Sequence, residues 1–180
     1  MKVLWICGLP LQVQQDALEN YDLGAHAAWS WVLGHLPPPW NVELHIACPV
    51  TKGPWKDKNF EYQGAVFHLV RCLPGRLQMG FMFDHCFFRP VINKINPDVI
   101  HAWGTEDSHA IIALGYDCDK TVVQVQGVIN ELKSMLPNAI GYKYLALRER
   151  YSLRKAKQVF VESEFSRSLV LPYCGSESSI

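Results

Sequence analysis

At about 150 residues per domain, a chain of 180 residues has room for one domain with at most a short appendage, which excludes a large multidomain machine. Apolar types make up 49% and charged types 19%, a balance that excludes disorder and calls for a compact body with buried strands. Seventeen Lys plus Arg against seventeen Asp plus Glu leave no net charge, so nucleic acid as the main partner is disfavoured; polyanion binders carry a basic excess.

Lys2 to Cys7 is a short apolar run that predicts a first buried strand. Trp5 and Pro10 interrupt it as a leader and no small-x-small cleavage site follows, so the strand is preferred to a signal peptide. A loop from Gly8 to Tyr21 leads to a helix predicted over Gly24 to Leu36, which Pro37-Pro38-Pro39 terminate because proline lacks the amide hydrogen needed to continue it. Val42 to Cys48 and Ala65 to Val70 predict the next strands, and the connection between them has no helical pattern and reads as a hairpin-like or looped excursion. Met79 to Ile95 predicts a helix kinked at Pro90. Strands at Asp98 to Ala102, Thr121 to Val125 and Gln158 to Val161 then alternate with helices at Asp107 to Leu114, Tyr142 to Ala156 and Glu164 to Leu171.

This alternation predicts right-handed crossovers and an α/β fold, a single Rossmann-like domain with a mostly parallel sheet and helices on both faces. The domain is expected over residues 1–172, with 173–180 a frayed tail. No run reaches the roughly 18 to 20 apolar residues of a membrane span. The cysteines Cys7, Cys48, Cys72, Cys86, Cys118 and Cys174 form no CxxC and read as small buried hydrophobes of a protein in a reducing cytosol.

An open α/β sheet binds ligands outside the carboxyl ends of its strands, which here carry Gly8, Pro49, Arg71, Trp103-Gly104, Gln126-Gly127 and Glu162-Ser163. Glycine at three of these ends would let a ligand approach the backbone, which points to a cleft. The helix start Asp22-Leu23-Gly24-Ala25-His26 is a candidate anion site, its bare amides unobstructed at Gly24, the alternative being a plain Asp22 cap. In Pro97 to Glu106, period two puts Val99, His101 and Trp103 on one side, so Trp103 could stack on a sugar face or base; equally, His101 and Trp103 are core residues. Glu106 and Asp107 are expected in the first helical turn with Thr105 as cap, where the dipole lowers their pKa values and suits them to hydroxyl binding. His109 could face the core or the cleft.

Asp117-Cys118-Asp119 precedes a strand, so it reads as a turn and not as a metal-holding D-x-D, and no metal site is predicted. There is no G-x-G, no GK[ST], no HExxH and no nucleophile elbow. Lys143, Arg150, Arg154 and Lys157 line one face of their helix while Tyr144, Leu147 and Tyr151 line another, which reads as a solvated face. The alternative is contact with anionic lipid headgroups, encouraged by Phe81-Met82-Phe83 and Phe87-Phe88, a segment that itself reads better as a core helix.

The strand Lys2 to Cys7, the helix start at Gly24, the block Pro97 to Glu106, the strand ending in Gln126-Gly127, and Glu149 to Ser166 (ERYSLRKAKQVFVESEFS) resemble, in order and spacing, the N-terminal half of family 4 glycosyltransferases of GT-B architecture. The resemblance runs to about Val170. It implies a cytoplasmic, metal-independent, retaining transferase that moves a sugar from a nucleotide sugar, a substrate and not a cofactor, to a glycan or lipid-linked acceptor, this half supplying the acceptor side. It implies Gly24 near the donor diphosphate, His101, Trp103, Gly104, Glu106, Gln126 and Gly127 along the acceptor cleft, and Ser163 towards the interdomain gap. Trp103 departs from the pattern, since many relatives have there the second histidine of an H-x-H. No protein nucleophile is implied, because the donor phosphate assists a front-face attack.

Relatives continue into a nucleotide-binding domain with an E-x7-E pair, whereas no two glutamates here stand eight apart. The partner implied is therefore that domain or a partner subunit, and the chain alone is expected to bind nucleotide sugar weakly and turn over little. The competing expectations are a non-catalytic carbohydrate- or nucleotide-binding module and one subunit of a split transferase. Apolar surface left at the docking face is expected to favour a homodimer, and the basic helix a position at the inner face of the membrane.

Overall fold

The computed structural model describes residues 1–18, 41–53, 58–76, 78–131 and 140–175. Its strands are β1 (Lys2–Ile6), β2 (Glu43–Val50), β3 (Lys58–Tyr62), β4 (Ala65–Arg71), β5 (Val99–Trp103), β6 (Thr121–Val125) and β7 (Gln158–Val161). They form one sheet in the order β3-β4-β2-β1-β5-β6-β7, parallel throughout except for β3 against β4. The hairpin-like excursion is β3: Tyr62 pairs with Ala65, and the turn needs left-handed backbone at both Gln63 (φ 49°) and Gly64 (φ 79°).

The helices are α1 (Leu11–Ala17), α2 (Asp84–Ile95), α3 (His109–Tyr116), α4 (Ile140–Lys155) and α5 (Glu164–Val170), followed by a 3-10 turn at Leu171–Tyr173. One sheet face packs Leu4, Ile6, Ile100 and Val123 against Phe88 and Ile92 of α2, Ala113 of α3, Leu153 of α4 and Val170 of α5. The other packs Ile46, Cys48 and Phe67 against Val13 of α1 and Leu18 beyond it. The molecule is thus an α/β, Rossmann-like domain with helices on both faces. Tyr173 and Cys174, at the start of the expected tail, pack against the first of these cores. Among the described residues no helix is long and apolar enough to cross a membrane.

Four local expectations are corrected. The loop from Gly8 to Tyr21 contains α1, because Pro10 enters it in extended backbone (φ −69°, ψ 139°) and Val13 buries a full turn later. The helix over Met79 to Ile95 starts only at Asp84, since Gly80 (φ 60°) and Phe81 (φ 58°) are left-handed; Pro90 lies inside it. The next helix starts at His109, not at Asp107, because the Thr105 hydroxyl bonds elsewhere and caps nothing. None of the six cysteines is in a disulfide, but Cys86 is exposed and only Cys7, Cys48 and Cys72 are fully buried. Asp117 does make a turn, its Oδ1 accepting the amides of Asp119 (2.9 Å) and Lys120 (3.3 Å).

Candidate functional site

After β1 the chain moves to β2 on one side, and after β5 to β6 on the other, so the two connections part beyond the ends of β1 and β5, the position where open α/β sheets hold their ligands. From β1 come Cys7 and Gly8, and burial keeps the Cys7 thiol protonated well above its ordinary range, a poor nucleophile. From β5 come Gly104 to Ser108. Gly104 is left-handed (φ +93°), and its amide donates to the Gln124 carbonyl (2.8 Å). A Cβ there would lie 2.6 Å from Glu106 Oε2, which accepts the Thr105 amide at 2.8 Å. The group that glycine admits is therefore the chain's own carboxylate. Burial pushes the Glu106 carboxyl up, against the opposing pull of backbone amides and His109, so the dipole-lowered pKa expected for it is reversed.

Beside it, Arg76 from the β4–α2 connection joins two acids. Nε donates to Asp84 Oδ2 (2.9 Å), Nη1 and Nη2 to the two oxygens of Asp107 (3.0 and 2.8 Å), and Nη2 also to Ser108 Oγ (2.7 Å). The guanidinium stands 4.7 Å from the Phe81 ring centroid. Burial works against both charges, yet the Asp107 and Asp84 charges raise Arg76, while His109 and Arg76 hold Asp107 below the usual carboxylate range. His109, on the core side, donates Nδ1–H to the Trp103 carbonyl (2.8 Å), and its buried Nε2 lies 4.0 Å from Asp107 Oδ2 with no hydrogen-bond partner among the described residues.

A second device locks the loops after β5 and β6. Glu149 of α4 is fully buried; Oε1 accepts from Thr105 Oγ1 (2.8 Å) and the Ile129 amide (2.9 Å), and Oε2 from the Asn130 amide (2.9 Å) and Asn130 Nδ2 (2.6 Å). Asn130 Oδ1 accepts in turn from Arg150 Nε at 2.8 Å. One carboxylate thus takes four donors from three residues, which fixes both loops relative to the helix.

His101 and Trp103 do share a sheet face, with Trp5. Trp103 packs 4.9 Å from the Trp5 ring and is 9% exposed, a packing role. His101 lines a trough of about 410 Å³ on that face with Val3, Val122, Gln124, Phe160 and Glu162, and burial holds its pKa down to about 4, so the ring is neutral near pH 7. Gln126 is exposed at the β6 end, and a Cβ on Gly127 would meet nothing within 4 Å among the described residues, so no contact there requires glycine. The Ser163 hydroxyl caps α5 by accepting the Ser166 amide (3.1 Å). Gly24, with Asp22 and His26, lies outside the described residues.

The structure therefore gathers Gly104, Glu106, Asp107 and His109 with Arg76 and Asp84. Sequence reasoning missed Arg76, Asp84 and the role of Glu149. Two signals were available: an acid inside the aromatic run Phe81 to Phe88 needs a cation, and Glu149 is the lone acid of a basic helix. Neither the protein-family models nor the curated proteins include a match to this chain.

Proposed function

We propose that this chain is the acceptor-side half of a retaining, metal-independent glycosyltransferase, with the crevice beside Gly104 and Glu106 receiving the acceptor hydroxyl. The observation that supports the reading is the hydrogen bond from Thr105 to Glu149: it joins two of the stretches, Pro97 to Glu106 and Glu149 to Ser166, that resemble family 4 glycosyltransferases. A half-buried carboxyl with a raised pKa suits hydrogen bonding to a neutral hydroxyl. The nucleotide sugar would be gripped mainly by a second domain or subunit.

One observation favours a second reading, a non-catalytic carbohydrate-binding module. Arg76, the cation built into this wall, is already engaged by Asp84 and Asp107, which fits a hydroxyl-rich ligand better than a phosphate.

The test is incubation of the 180-residue chain with labelled nucleotide sugars and glycan acceptors, with equilibrium binding of each class measured alongside. Acceptor binding that Glu106→Gln weakens, with negligible transfer, is expected. Restoration of transfer by a separately supplied nucleotide-binding domain selects the transferase over the module. Absence of glycan binding, or tight nucleotide-sugar binding without it, refutes both.

A further inference from the structure

The outward face of α4 is dressed for an interface. Its inward positions, Leu145, Ala146, Glu149, Ser152 and Leu153, are buried at helical spacing. Tyr144, Leu147 and Tyr151 stand at i, i+3 and i+7 on the opposite side, between 43% (Tyr144) and 63% (Leu147) exposed. A second segment joins them: Arg148 donates to the Gly80 carbonyl, and a Cβ at Gly80 would fall 2.3 Å from the Tyr144 ring, so the turn that carries exposed Met82 and Phe83 rests directly on α4. Core-type side chains on two adjoining segments left in water mark a contact surface.

The charges say what it contacts. α4 carries five basic residues, Lys143, Arg148, Arg150, Arg154 and Lys155, and a single acid, Glu149, which faces inward and is fully buried. The exposed side of the helix is therefore aromatic and basic with no acid of its own, and the Lys155 ammonium lies 5.9 Å from the Tyr151 ring centroid. A protein partner would be met by mixed signs, whereas a layer of anionic headgroups over hydrocarbon matches an apolar stripe flanked by cations of one sign.

We propose that this face, α4 together with the Met82–Phe83 turn, docks the protein peripherally on an anionic lipid surface. The docking is independent of sugar transfer and of the Glu106 crevice. The aromatic stripe inserts among the headgroups, and Lys143, Arg154 and Lys155 hold the surface charge.

The experiment is co-sedimentation of the full chain with vesicles of phosphatidylcholine alone and with vesicles that also contain phosphatidylglycerol. Binding to the mixed vesicles, weakened by added salt, and none to the neutral ones is expected. Replacing two surface cations in R154Q/K155Q should weaken binding roughly thirtyfold. Both side chains are exposed, so the variant keeps its fold, checked by circular dichroism. Leu147→Ser with Tyr151→Ser should weaken binding while leaving its salt dependence in place. Equal binding to both vesicles, binding to neither, or variants that bind like the parent would overturn the proposal. So would light scattering that finds a dimer dissociated by Leu147→Glu, which assigns the face to a second copy.

Discussion

Glu149→Gln probes the joint on which the crevice wall depends. The carboxylate accepts four hydrogen bonds, two at each oxygen, all from buried donors. Glutamine keeps one accepting oxygen and turns an NH2 group towards the two donors at the other: at the Oε1 position the Thr105 hydroxyl can rotate to accept from it and only the Ile129 amide is stranded, whereas at the Oε2 position the Asn130 amide and side chain both are. Flipping the Asn130 amide would relieve one clash but would break its bond from Arg150 Nε, so relaxation is restrained. The cheaper orientation strands one buried donor, at about 1–3 kcal/mol, and turns it against the new NH2 group, so a loss of roughly 2 kcal/mol follows. At a urea slope of about 2 kcal/mol per molar, the midpoint should fall by about 1 M at unchanged slope. Urea titration followed by tryptophan fluorescence reads this, with Glu164→Gln, an exposed partner of Arg167, as the comparison. A midpoint shift for Glu149→Gln no larger than that of Glu164→Gln would refute the reasoning.

Other outcomes follow from the same geometry. Gly104→Ala should destabilise by about 2 kcal/mol, because φ is +93° and the new methyl meets the Glu106 carboxylate; the loss should shrink in a Glu106→Ala background, and equal losses in both would clear the carboxylate of blame. Arg76→Met strands Asp84, which is 2% exposed, together with Asp107, and should cost about 3–5 kcal/mol; Arg76→Lys should recover only part of it in a thermal melt, since an ammonium lacks the planar fork that grips both oxygens of Asp107 while Nε holds Asp84. His68, hydrogen-bonded to His45 at 2.9 Å, is held down to about 4 by burial from an ordinary 6.5. Its folded form binds a proton later than the unfolded chain does, so stability should fall as pH drops from 6.5 towards 4 and level off below. His68→Gln should flatten that limb of a stability–pH series, and an unchanged slope would show that another group controls it.

The β-strands were legible because each is a short apolar run closed by Gly, Pro or a polar turn, and buried parallel strands need no more than that. Even β3 was foreshadowed by the missing helical pattern before Ala65. The helix starts were less legible. Asp107 to Leu114 looked like a helix capped by Thr105, but the cap was claimed by Glu149, forty-four residues on, which no local pattern reveals. Met79 to Ile95 looked continuous, yet Gly80 and Phe81 turn left-handed to bring Phe81 under Arg76. The polar cluster after β5 was legible as a position, a strand end, and misread as chemistry: the dipole argument for Glu106 failed because the helix starts only at His109, and the side chain folds back over Gly104, where burial raises its carboxyl.

By itself, then, the order of apolar runs and helical stretches determined the α/β layering and which turns lie beyond the carboxyl ends of the strands, because strand periodicity and the handedness of crossovers are local properties. Only the tertiary structure decided which polar groups meet there. Arg76 with Asp84 and Asp107, and Glu149 with Thr105, Ile129 and Asn130, are pairings between distant segments, and the protonation of a carboxyl such as Glu106 depends on how much water those segments exclude.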